Sequence, residues 1–192
     1  VGCMIQYSSS ASVYGPTDHF TEDGPLLPQS PYAWSKFLVD RWVSSHFFAS
    51  PVQGFRYFNV YGKGEEHKGD MMSPVSKFTK QAKETGIIKI FKGSENYLRD
   101  FICVKDVCAI HEIMLEHRVK GIFNVGTGEA TSFKTIAELI ATKYNANIEE
   151  IDMPIEIRQQ YQEFTKANLN SLRKHTDYKF MQPKTWINQT KG

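Results

Sequence analysis

Ser8-Ser9-Ser10-Ala11-Ser12-Val13-Tyr14-Gly15 follows an apolar run over 3–7 and is separated by the loop 15–29 from Ser30-Pro31-Tyr32-Ala33-Trp34-Ser35-Lys36. The apolar run reads as a strand that stops where small hydroxyl residues begin. Ser30 reads as an N-cap with Pro31 in the first helical position, which predicts a helix to about residue 48. A second β-rich run over 52–60 comes next. Strand, helix, strand at this spacing is a parallel crossover.

The alternation continues outward from there. Strands are expected over 87–91, 101–104, 122–125 and 148–152. Helices are expected over 74–85, where Ser73 and Pro74 repeat the starting device, over 106–117 and 133–144, and more weakly over 166–174. The pattern implies an α/β fold with a largely parallel sheet, with no internal repeat and no low-complexity linker. The longest irregular stretches, 15–29 and 62–72, are where chemistry is expected, because long loops in compact domains tend to be functional.

The 192 residues carry 23 basic and 21 acidic side chains, a net charge of +2, with 41% hydrophobic and 13% aromatic residues. That composition buries a real core and excludes disorder, collagen and coiled coil. Near-neutral charge without a basic run gives no electrostatic case for nucleic acid or a membrane surface, and no apolar stretch approaches the ~18 residues of a membrane span. A cytoplasmic protein is expected. Cys3, Cys103 and Cys108 form no CxxC pair and are expected to be buried, reduced thiols. His19, His46, His111, His117 and His175 show no metal-ligand spacing, so no metal is expected. The chain opens on Val1 and almost at once on a strand, which suggests a start in mid-fold.

Tyr32 and Lys36 lie four residues apart, so phenol and ammonium project from one helix face. A phenol is a poor base at neutral pH, and a fixed cation nearby favours its ionised form. A serine at the C-terminal end of a parallel strand, where such sheets bind ligands, can share the same substrate hydroxyl. The combination of SSSASVYG with PQSPYAWSK resembles the extended short-chain dehydrogenase/reductase family of nucleotide-sugar epimerases and dehydratases. The resemblance implies that Ser10, Tyr32 and Lys36 form a catalytic triad around a nicotinamide.

Gly54-Phe55-Arg56-Tyr57-Phe58-Asn59-Val60-Tyr61-Gly62, then His67-Lys68-Gly69, Phe91-Lys92-Gly93-Ser94-Glu95-Asn96-Tyr97-Leu98-Arg99-Asp100-Phe101 and Gln160-Tyr161-Gln162-Glu163-Phe164-Thr165 are similar to the ADP-glyceromanno-heptose 6-epimerases within that family. The similarity implies epimerisation at C6 through a transient ketone, with bound NADP (or NAD), in lipopolysaccharide core heptose synthesis. Lys68 would be a second acid/base group opposite Tyr32. Tyr32, Lys36, Val60 and Lys68 would contact the cofactor. Asn59, Phe91, Lys92, Gly93, Ser94, Arg99 and Tyr161 would contact the nucleotide-sugar, with Arg99 clamping its diphosphate. Three departures stand out: Lys63 replaces a common proline, Asp70 a small hydroxyl residue, and Lys77 a histidine.

The implied architecture is the C-terminal part of a Rossmann-like doubly wound parallel sheet plus a smaller α/β substrate-binding domain. Residues 1–62 would complete the nucleotide-binding domain and 63–192 would be mainly substrate-binding, with 101–125 returning to the sheet domain. Gly126-Thr127-Gly128 has Thr131, not glycine, three positions on, and reads as a tight turn rather than a dinucleotide fingerprint. The phosphate-binding loop is expected before Val1, and the chain alone is expected to be inactive, the parent protein being a homo-oligomer. Two rivals stand beside this reading: a UDP-hexose 4-epimerase or related enzyme, in which SSSASVYG and PQSPY also occur, and a non-catalytic fragment or degenerate homologue.

Overall fold

The computed structural model describes residues 3–158 and 161–190. Val1 and Gln160, both used in reading the sequence, lie outside the described residues. In chain order the elements are β1 (Ile5–Ser10), a 3-10 turn (Ala11–Tyr14), α1 (Pro31–Ser45), β2 (Val52–Tyr57), β3 (Asn59–Tyr61), a 3-10 segment (Glu66–Met71), α2 (Pro74–Thr85), β4 (Ile87–Phe91), β5 (Leu98–Cys103), α3 (Val104–His117), β6 (Gly121–Val125), β7 (Ala130–Ser132), α4 (Phe133–Tyr144), β8 (Asn147–Ile151), α5 (Ile155–Arg158), a 3-10 turn (Leu172–Lys174) and α6 (Pro183–Gln189).

The strands form three small sheets, ordered β1-β2-β6, β3-β5-β7 and β4-β8. Every pairing is parallel except β5 with β7. The fold is Rossmann-like α/β, as expected. Phe55, Ile102, Val107, Ile110, Met114 and Phe123 fill the core between the first sheet and α3. A second core joins α2 and α4 to β4 and β5 around Phe78, Ile88, Phe101, Ile136 and Ile140. No helix among the described residues is long and apolar enough to cross a membrane.

Five sequence expectations need correction. The strand expected over 3–7 runs instead from Ile5 through Ser10, because Ser8, Ser9 and Ser10 pair in register with Phe55, Arg56 and Tyr57 of β2. The strand expected over 52–60 breaks at Phe58, whose N–H still donates to Val125 at 3.0 Å before the chain crosses to pair Asn59 with Phe101. Phe58 turns its ring into a buried cluster with Tyr14 and Phe20, which fixes the crossing. Helix α1 stops at Ser45 rather than residue 48, because the Ser45 hydroxyl and the His46 ring compete for the Trp42 carbonyl and His46 is extended. No helix spans 166–174. The backbone there is committed elsewhere: Ala167 donates to Asp100, the Asn168 carbonyl accepts from Asn124, and the Asn168 side chain caps its own turn. Finally, only Cys103 is buried, while Cys3 and Cys108 are exposed, Cys108 lying on the outward face of α3.

Helix α1 is anchored to the sheet by polar groups. Asp40 and Arg56 are both about fully buried, at 1% and 2% exposure, and Arg56 Nε donates to Asp40 Oδ2 at 2.8 Å. Tyr7 donates to the other Asp40 oxygen at 3.0 Å. Arg56 Nη1 donates to the Tyr14 hydroxyl, which donates to Asn124 Oδ1 at 2.7 Å. Asn124 in turn takes Glu22 and the Phe20 carbonyl from the loop 15–29. One connected network therefore ties α1, β1, β2, β6 and the long loop together. Its members satisfy one another, which is what buried charge requires.

Candidate active site

Ser10 ends β1 and caps the following 3-10 turn, its hydroxyl accepting from the Ser12 N–H at 3.2 Å. The Ser10 O–H is therefore oriented and left to donate. Tyr32 sits in the first turn of α1, 56% exposed, and no hydrogen bond to its hydroxyl is found among the described residues. Lys36 lies one turn on, with its Nζ 5.7 Å from the Tyr32 ring centre and donating to the Ser8 carbonyl at 2.9 Å. An ammonium has three donors. One is spent on Ser8, which holds Lys36 at the C-terminal end of β1, and two remain.

Lys68 lies in the 3-10 segment, 43% exposed, with its Nζ 3.6 Å from Glu65 Oε1. Glu65 is buried and is fixed by the Ser73 N–H at 2.9 Å, so an acidic tether that the sequence reading did not single out restrains Lys68. Asn59 and Val60 sit on β3, half-buried, and Asn59 Oδ1 accepts from Thr165 at 3.4 Å.

The remaining candidates gather around a cavity of about 320 Å³ lined by Phe91, Ser94, Tyr97, Phe133, Tyr161 and Lys77 among others. Phe91, Lys92, Gly93 and Ser94 form a turn closed by Ser94 N–H to the Phe91 carbonyl at 3.1 Å, with Gly93 at φ 78°. A side chain at that φ is strained, so the glycine suits the turn. Lys92 points away, ion-paired to Asp152 at 2.8 Å. The Ser94 hydroxyl is buried beside this largely aromatic cavity and has no hydrogen-bond partner among the described residues. Lys77 and Lys89 both reach the wall, whereas Asp70 is exposed and does not.

Arg99 is buried, 5.4 Å from the Phe133 ring centre and 5.3 Å from that of Tyr161. It donates to the carbonyls of Leu98 and Gln162, and among the described residues it has no carboxylate partner. Burial lowers its pKa. It touches the cavity through those two rings rather than as wall. Gln162 joins the two groups of candidates: its carbonyl accepts from Arg99, and its side chain donates to the Gly15 carbonyl at 3.0 Å.

Gly126-Thr127-Gly128 is occupied by the protein itself. Asp100 accepts from the N–H groups of Thr127 (2.7 Å) and Gly128 (2.9 Å), and from the Thr127 hydroxyl (2.7 Å). Burial pushes the Asp100 pKa up and these donors oppose it. A turn whose amides already hold an internal carboxyl group has no room for phosphate. A Cβ on Gly126 would lie 2.7 Å from both Asp100 Oδ2 and the Ala167 Cβ. Gly126→Ala is expected to cost about 1–3 kcal/mol by overpacking, read as a lower denaturation midpoint.

A profile of the NAD dependent epimerase/dehydratase family matches residues 2–126. The ADP-L-glycero-D-manno-heptose-6-epimerase of Brachyspira hyodysenteriae is 45% identical over 175 residues, 87% of this chain and 55% of that protein. The crystal structure of the Helicobacter pylori ADP-L-glycero-D-manno-heptose-6-epimerase superposes with a TM-score of 0.86 at 28% identity, covering 96% of this chain and 58% of that one. A UDP-N-acetylglucosamine 4-epimerase from Methanobrevibacter ruminantium shares the fold, with a TM-score of 0.83 at 23% identity and coverage of 96% of this chain and 62% of its own. The chain thus spans a little over half the length of these relatives. With the family profile covering the strand, helix and turn that carry Ser10, Tyr32, Lys36 and Lys68, the chain belongs to the NAD dependent epimerase/dehydratase family.

Proposed function

We propose that the protein carrying this chain epimerises a nucleotide-activated heptose, ADP-glyceromanno-heptose, at C6. The observation that carries the reading is the exposed phenol of Tyr32 beside a Lys36 ammonium pinned to Ser8 at the end of a parallel strand. The 45% identity to a heptose epimerase supports this substrate over a UDP-hexose.

The residues present fit one end of a nicotinamide dinucleotide. Lys36 has donors to spare for ribose hydroxyls, and Val60 and Lys68 lie on the segments after β2. The Gly126 turn does not fit the pyrophosphate, since Asp100 fills it. When bound, NADP supplies the hydride acceptor and donor, so that the reaction has no net redox change. Tyr32 takes the proton from the C6 hydroxyl, Lys36 stabilises the charge that develops on the phenol oxygen, and the Ser10 O–H donates to the same substrate oxygen. This leaves a ketone that turns its other face, and Lys68 assists protonation there. Lys77, Lys89 and the aromatic wall hold the nucleotide and diphosphate, with Arg99 adding its positive charge from behind the Phe133 and Tyr161 rings. Three free cysteines suit a reducing cytoplasm.

Turnover by the intact protein of ADP-heptose set against UDP-hexoses tests the assignment. Conversion of the heptose alone is expected, and preference for a UDP-hexose overturns it. On the cavity wall, Lys77→Ala is expected to weaken ADP binding by about tenfold or more, the scale of a charge-assisted hydrogen bond. Titration calorimetry at low and high salt checks this, with the difference narrowing as salt screens it.

A further inference from the structure

The segment that carries Lys68 has no core anchor of its own. None of Glu66–Met71 is buried, and the backbone kinks within it at Gly69 (φ 52°). Its footing is the residue just before it, Glu65, which is 6% exposed. All three acceptor oxygens of Glu65 are engaged. The backbone carbonyl accepts from the Lys68 N–H at 2.9 Å, Oε2 accepts from the Ser73 N–H at 2.9 Å, and Oε1 lies 3.6 Å from Lys68 Nζ. One residue thus meets Lys68 at its backbone and at its ammonium, and ties both to Ser73, the cap of α2.

Each partner needs the other. A buried carboxylate loses its hydration and must be offset by a cation and by donors. Among the described residues Lys68 is the one ion-pair partner of Glu65: Lys63, Lys80 and Lys83 line the same groove, but Lys80 pairs with Glu84 at 4.0 Å and neither Lys63 nor Lys83 pairs with Glu65. Lys68 is 43% exposed on a flexible four-carbon stem, so its ammonium spreads over many rotamers unless it is held. An ammonium has three donors, and a carboxylate on one side leaves the others for a ligand.

We infer that Glu65 is a positioning residue for the second acid/base group, holding the Lys68 ammonium in the one place where the epimerase reading needs a proton donor, and that it does so by its charge rather than by supporting the fold. The tether stands on its own geometry, and its effect on turnover rests on the epimerase reading.

Glu65→Gln separates the two roles, because the amide oxygen still accepts from the Ser73 N–H while the charge is lost. Glu65 does not line the cavity of Phe91 and Tyr161. In the intact protein ADP affinity is therefore expected to stay within about twofold while kcat falls about tenfold, the scale of a lost charge-assisted contact. A double-mutant cycle with Lys68→Met shows whether the effect passes through Lys68. Once Lys68 is methionine, Glu65→Gln is expected to lower kcat no further. A comparable further fall in the double variant, or an unchanged kcat in Glu65→Gln alone, overturns the positioning role. A second arm uses carbon-13 relaxation of the lysine ε-carbons in the intact protein, with Lys68→Arg to assign the signal. Expected is a Lys68 ε-carbon more ordered than those of the exposed lysines, and as mobile as theirs in Glu65→Gln. Equal mobility in the unsubstituted protein overturns the tether without reference to activity. If that protein turns over no ADP-heptose, the epimerase reading falls and the relaxation result still decides the tether.

Discussion

Tyr32→Phe is expected to lower kcat of the intact protein by about 10³-fold, within the range that a positioned acid/base group contributes. The substitution removes one oxygen and nothing structural: Tyr32 is 56% exposed and donates to no described residue. Stability and ADP affinity should therefore stay near their original values while turnover collapses. That separation of kcat from binding marks loss of a group used in the chemical step. Normal turnover in Tyr32→Phe would remove the phenol from the mechanism, whatever the fold similarity.

Asp40→Ala is expected to cost about 3–5 kcal/mol of stability, the scale seen when one partner of a buried ion pair is removed. Arg56 stays behind, 2% exposed, with its charge uncompensated, and the Tyr7 hydroxyl loses its acceptor. Denaturant titration reads the loss. Asp40→Leu combined with Arg56→Met should recover most of it, since an apolar pair of similar volume removes the stranded charge. Asp40 also shares α1 with Tyr32, two helical turns away. In Asp40→Ala the catalytic face should therefore loosen, so activity falls below what the folded fraction alone gives. A cost under about 1 kcal/mol would show that the pair does not anchor the helix.

What the sequence made legible was local. Tyr32 with Lys36 is an i, i+4 relation, Ser30-Pro31 and Ser73-Pro74 are helix starts, and both kinds of signal depend on neighbours in the chain. Gly126-Thr127-Gly128 was readable as a plain turn from its missing third glycine, and Asp100 supplies the physical reason. The Asp40–Arg56 network was hidden because it joins residues from separate elements, as with Tyr14 and Asn124, 110 positions apart. The 166–174 error has the same root. Its helical periodicity is outweighed by Asp100 and Asn124, which need its backbone groups. Helix α6 carried a usable signal that was passed over, Pro183 at its first position.

The central claim, that Tyr32 and Lys36 serve oxidation and return of the same carbon, predicts a definite isotope result. With ADP-heptose in deuterated water, proton NMR of the product should show inverted C6 stereochemistry with hydrogen, not deuterium, at C6, because the hydride leaves and returns without meeting solvent. Deuterium at C6 of the inverted product would contradict the account.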